Sequence, residues 1–171
     1  MRVAFVVIAA ALIASTAASA QRKADDASVM IGPWTIEAIM KGSKFDSCSM
    51  TRAANDVNVT IFRAADGLTM TLDSAKWKLE RGQQYPVDLV AGSTKWSTRA
   101  SADRSAVTIA LTDTSITAAL RNANALQVRG EGATIAVPLD KSLAALDRLE
   151  ACYEKNSRST ETNPFVAPGK P

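Results

Sequence analysis

From residue 34 to residue 139 apolar and polar side chains alternate in short runs separated by turn residues. Trp34, Ile36, Ala38 and Met40 enclose Thr35 and Glu37; Val57, Val59 and Ile61 enclose Asn58 and Thr60; Leu68, Met70 and Leu72 enclose Thr69 and Thr71. Tyr85, Val87 and Leu89 form the next run, followed by Thr94, Trp96 and Thr98, and then by Val107, Ile109 and Leu111. Leu126 and Val128 precede Gly130-Glu131-Gly132, and Ile135, Val137 and Leu139 follow it. A period of two sends successive side chains to opposite faces of a strand, so each run predicts one buried and one wetted face. Asp66-Gly67 between two runs reads as a hairpin turn, and Gly130-Glu131-Gly132 as a second. The pattern predicts a mainly β protein, an antiparallel β-sandwich or partly open barrel of about eight or nine strands.

Two segments follow a helical period instead. Thr114 to Asn122 places Ile116, Ala119 and Leu120 on one side, with Asp113 in position to cap it. Ser142 to Cys152 places Leu143, Ala145, Leu146 and Leu149 on a stripe, with Asp147 and Arg148 opposite. Two short helices that close or cover the sheet are expected.

The chain has 171 residues, a single-domain length. Its first 20 residues have Arg2, an apolar run from Val3 to Ile13 and Ala18-Ser19-Ala20, which together read as a secretory signal peptide cleaved at Ala20/Gln21. The apolar run is short for a membrane crossing, and no later stretch reaches the required length. The expected organisation is signal peptide 1–20, flexible lead-in 21–28, one β domain 29–155 and a disordered tail 156–171 rich in Ser, Thr, Asn and Pro. The expected location is the periplasm or the exterior, with no transmembrane segment in the mature chain.

Export changes the meaning of the two cysteines. In an oxidising compartment Cys48 and Cys152 most simply pair, closing a loop with a sequence separation of 104. The chain-entropy argument assigns such a loop roughly 4–5 kcal/mol. A reactive or intermolecular thiol is the alternative, but no CxxC spacing supports redox chemistry.

The chain has no histidine. That removes Ser-His-Asp and Cys-His catalysis and any imidazole metal ligand. Neither an S-x-x-K spacing in the mature chain nor a G-x-S-x-G elbow supplies another nucleophile. No catalytic residue, cofactor or metal site is assigned. A hydrolase would need two facing carboxylates among Asp46, Asp56, Asp66, Asp73, Glu80 and Asp88, and nothing in the sequence pairs them.

Arg63, Lys76, Lys78, Arg81, Lys95, Arg99 and Arg104 share one stretch with Trp77 and Trp96. Asp66, Asp73, Glu80, Asp88 and Asp103 lie among them, and the net charge of the chain is only +3. This is too dilute for a nucleic-acid footprint. The candidate binding surface is Trp77 with Lys76, Lys78 and Arg81, set against the alternative of an ordinary mixed surface. Trp34, after Gly32-Pro33, is expected in the core.

The order Gly32 to Trp34, Cys48-Ser49-Met50-Thr51, ALRNANALQVRG at Ala119 to Gly130 and VPLDKSLAAL at Val137 to Leu146 resembles the invasion-associated locus B family of small exported alphaproteobacterial proteins. Asn122 and the Leu139-Asp140-Lys141-Ser142 segment depart from the family pattern. The resemblance implies a mostly β fold and an envelope association, in a family with no established enzymatic activity. The leading expectation is a non-catalytic module that binds an envelope protein or glycan. An inhibitor of a secreted protease or lysozyme, and a carboxylate-based hydrolase, are the alternatives.

Overall fold

The structure is a computed structural model and describes residues 28–160. The signal peptide and all of the lead-in except Ser28 lie outside the described residues, as does the tail beyond Thr160.

Ten strands form the sheet: β1 (Val29–Ile31), β2 (Trp34–Lys41), β3 (Lys44–Ala54), β4 (Val57–Ala64), β5 (Gly67–Asp73), β6 (Gln84–Ala91), β7 (Thr94–Asp103), β8 (Ala106–Ala110), β9 (Ala125–Arg129) and β10 (Thr134–Pro138). Helix α1 spans Thr114–Asn122 and α2 spans Ser142–Thr160. Every pairing is antiparallel, in the order β1-β2-β3-β4-β5-β8-β7-β6-β9-β10. The fold is thus mainly β with two helices, as the alternation predicts, but it is one open sheet rather than two stacked ones.

Two expectations need correction. The strands number ten, because the short edge strand β1 has only three residues and shows no readable alternation. Helix α2 continues eight residues past Cys152 and takes in residues expected in a disordered tail. Polar composition hid this last part. Tyr153 packs on Phe45 with ring centroids 5.8 Å apart, and Asn156 Nδ2 donates to the Cys152 carbonyl at 2.9 Å. The ring contact holds this part of the helix to β3, and the Asn156 bond continues the helix past Cys152.

The register explains the core. Ile36, Met50, Ile61, Met70 and Ile109 are lateral neighbours on successive strands, and all are buried. Ala100 and Tyr85, paired with each other, continue the same face. The opposite face carries Thr35, Thr51, Thr60, Thr71, Thr108 and Ser101 in an equivalent lateral row. Thr51 and Thr60 hydroxyls lie 3.1 Å apart, as do those of Thr71 and Thr108. β-Branched residues with a hydroxyl suit a pleated face that must stay wet.

The sheet curls until its far end meets its beginning. No ladder joins β10 to β1; side chains close the seam instead. Trp34 Nε1 donates to the Asp140 carbonyl at 3.0 Å, and Arg52 Nη1 donates to the Pro138 carbonyl and to Asp140 Oδ1, both at 2.7 Å. The Arg52 guanidinium lies 5.2 Å over the Trp34 ring.

The helices occupy one end of this curled sheet. Asp113 caps α1 as the sequence predicts, its Oδ1 accepting from the Ser115 amide at 2.8 Å. Ile116 and Leu120 of α1 join the core. Helix α2 packs chiefly on β2 and β3. The Cys48–Cys152 disulfide joins β3 to α2, as expected from the cysteine count, and both residues are buried. Arg63 of β4 points to the same helix: its Nε is 3.0 Å from Glu150 Oε1 and its guanidinium lies 4.3 Å over the Tyr153 ring.

Candidate functional site

The other end of the sheet is open. Where β4, β5 and β8 face β6, β9 and β10 the structure has a cavity of about 490 Å³. Buried Leu72, Ala100 and Val128 form its floor. Val57, Trp77, Leu79, Tyr85, Val87, Val107 and Ile135 are half-buried walls. Exposed Pro86 and the β9–β10 turn, Gly130 to Ala133, form part of the rim. Tyr85 and Glu131 contribute the only side-chain oxygens among these residues.

Two irregular segments frame the opening. The first, residues 74–83, links β5 to β6 and is fastened to the end of β7 and the β7–β8 turn by backbone bonds. Ser74 N donates to the Ser105 carbonyl at 3.0 Å, Leu79 N to that of Arg104 at 2.6 Å and Gly82 N to that of Ala102 at 2.8 Å. This anchoring holds Trp77 and Leu79 at the cavity while Lys76, Lys78 and Glu80, which alternate with them, stay exposed. The second is the Gly130-Glu131-Gly132 turn, closed by a bond from Gly130 N to the Ala133 carbonyl at 2.9 Å. The sequence marks it as a hairpin, which it is; its place on the rim was not legible.

The four residues read from sequence as a binding surface lie together on the first segment, with different surroundings. Trp77 is half-buried against the cavity. Lys76 Nζ pairs with Asp56 at 2.5 Å, and Arg81 Nε with Asp103 at 2.8 Å. Lys78 has no ion-pair partner among the described residues. The wider basic stretch is dispersed: Arg63 turns toward α2, and Lys95 pairs with Asp88 at 2.9 Å near the β6–β7 turn. Trp96 is also distant in role, its Nε1 donating to Ser115 Oγ at 2.8 Å beside the α1 cap.

Sequence reasoning missed most of the cavity wall. Tyr85, Val87, Val107, Val128 and Ile135 were legible only as inward strand positions, and nothing in the sequence says which of these are left without a neighbour to pack on. The clearest available signal was Ala100. It occupies an interior lateral row that carries Ile or Met on β2, β3, β4, β5 and β8 and Tyr85 on β6.

Several carboxylates considered for hydrolysis have cationic partners. Asp46 pairs with Lys41 at 2.6 Å, Asp56 with Lys76 and Asp88 with Lys95. Hydrogen bonds from Lys41 to Asp46, and from Lys95 and then Ser97 to Asp88, hold these two carboxyls below the usual carboxylate value. A general acid for glycoside hydrolysis needs the opposite shift. Among the described residues no group of three or more carboxylates and cysteines is placed to hold a metal ion. No helix among them is long and apolar enough to cross a membrane.

No family model, curated protein or solved structure matches this chain. The reading of the site therefore rests on its geometry.

Proposed function

We propose that the protein is an exported, non-catalytic binding module of the periplasm or cell exterior, and that the open mouth beside Trp77 is its binding site. The observation that carries this reading is the cavity itself: about 490 Å³, apolar, and framed by two anchored segments. Small-molecule sites fall in this size range and are lined mainly by apolar and aromatic side chains. The resemblance to the invasion-associated locus B family supports an envelope association, and the missing histidine supports binding over turnover.

Native mass spectrometry of the exported full-length protein, isolated without denaturation, tests the reading. A co-purifying species is expected on the wild type and lost from Trp77→Ala. A protein that carries nothing in either form, or one that turns over a glycoside or ester substrate through its carboxylates, would overturn it.

A further inference from the structure

We infer that the mouth takes the apolar chain of a single-chain amphiphile, inserted end-on, with Ala100 as the residue that makes room for it. This rests on the mouth being the binding site and adds the class of ligand.

Three features argue for the class. The walls offer few hydrogen-bonding side-chain groups: the Tyr85 hydroxyl, the Glu131 carboxylate and the Trp77 indole N–H. A sugar or peptide backbone seated there would leave most of its polar groups desolvated and without partners. An alkyl chain has none to satisfy. The shape argues next. The floor is buried core and the rim is exposed turn, so a ligand enters along one direction and its far end stays wet. An amphiphile matches that polarity gradient. The rim argues last. With Lys76 and Arg81 engaged by Asp56 and Asp103, Lys78 is the cation on the Trp77 segment left for an acidic head group, which must seat on that segment and away from the Glu131 carboxylate of the β9–β10 turn.

Ala100 explains why the space exists. Ile36, Met50, Ile61, Met70 and Ile109 fill the interior row on successive strands. On β7 that row carries a methyl group opposite Tyr85. A larger side chain here would occupy the floor of the mouth without touching its rim.

The test is displacement of a fluorescent polyene fatty acid from the full-length mature protein. Lauric acid, dodecanol, a soluble oligosaccharide and phospholipid vesicles are the competitors. Saturable one-to-one binding is expected, with lauric acid the best competitor, dodecanol weaker and the oligosaccharide inert. Displacement by monomeric lauric acid identifies a free chain; displacement by vesicles alone would place the source in a bilayer and overturn end-on capture of a single-chain ligand. Ala100→Leu should weaken binding by about tenfold or more while leaving the melting temperature equal or higher, since filling a cavity stabilises. Val87→Phe, on a different wall, serves if Ala100→Leu does not fold. Thr60→Ala, on the wet face, should bind as the wild type does. Unchanged affinity in folded cavity-filling variants would overturn the inference. Failure of every alkyl probe, alongside a glycan or peptide lost from Trp77→Ala, would overturn the chain and leave the binding site standing.

Discussion

Trp34 Nε1 reaches the carbonyl oxygen of Asp140 at 3.0 Å, although 106 residues separate the two in sequence. This bond joins the second strand of the sheet to the residues just after its tenth. Without a backbone ladder between the sheet edges, the seam depends on Trp34, Arg52 and the Pro138–Asp140 carbonyl and carboxylate groups. Trp34 is fully buried, so its two contributions can be separated. Trp34→Phe keeps most of the apolar volume, leaves the Asp140 carbonyl without this donor, and is expected to lose about 1–3 kcal/mol. Trp34→Ala removes the ring and the support for Arg52, and is expected to lose about 3–5 kcal/mol. Denaturant titration of both variants reads the difference. A Trp34→Phe variant as stable as the wild type would mean that the hydrogen bond contributes nothing to the seam.

Gly32 carries the chain into the same seam. Its φ is +58°, and a Cβ there would stand 2.8 Å from Lys141 Cγ. Gly32→Ala is therefore expected to cost about 1–3 kcal/mol through backbone strain, with the side-chain contact in addition. A Lys141→Ala background removes the Cγ contact but keeps the Cβ at 3.1 Å and the backbone strain, so Gly32→Ala should cost less there but not nothing. A double-mutant cycle on unfolding free energies measures the difference. Strict additivity would show that Lys141 moves aside freely.

The two-residue alternation made most of the sheet legible, because each strand has one buried and one wet face. It could not reveal β1, whose three residues hold a single alternation, with Met30 exposed between Val29 and Ile31. It also left β3 without a readable run. Ser47, Cys48, Ser49 and Met50 are all buried there, so no contrast between faces survives. The end of α2 was hidden by polar residues whose contacts are long-range, such as Tyr153 with Phe45 and Arg63. Trp77 was identifiable as a half-exposed aromatic. The cavity beneath it was not, since a void depends on which inward side chains lack a neighbour across the curled sheet.

The disulfide joins β3 to the middle of α2 with Cα atoms 6.2 Å apart. Its main effect falls on the unfolded chain, which loses a long closed loop when the bridge is cut. Replacing both cysteines by alanine is expected to lower unfolding free energy by about 2–4 kcal/mol and to leave far-ultraviolet circular dichroism unchanged. Thermal and denaturant unfolding under oxidising and reducing conditions measure this. A wild type equally stable with and without reductant would remove the bridge from the stability of the fold.

Acid response follows from a small set of carboxylates. The Arg52 guanidinium beside Asp140 holds its carboxyl below the ordinary value of 3.8, chiefly through the hydrogen bond. Ser115, through its hydroxyl and then its amide, does the same for Asp113 at the α1 cap. A carboxyl with a lowered folded-state pKa stabilises fully above its unfolded value and progressively less as pH falls through the folded one. Without histidine, no side chain has an ordinary pKa between about 5 and 8. Stability is therefore expected to be flat across that range and to fall on acidification below about pH 4. Asp140→Asn removes one of these groups and should flatten the acid limb while lowering the plateau, since Arg52 then keeps the Pro138 carbonyl but loses its carboxylate. Asp66→Asn, at a turn and without an ion-pair partner among the described residues, should leave the curve as it is. Melting temperatures collected from pH 2 to pH 8 check both. An acid limb unchanged in Asp140→Asn would show that the seam does not sense this proton, and that Arg52 is held by the Pro138 carbonyl and the Trp34 ring alone.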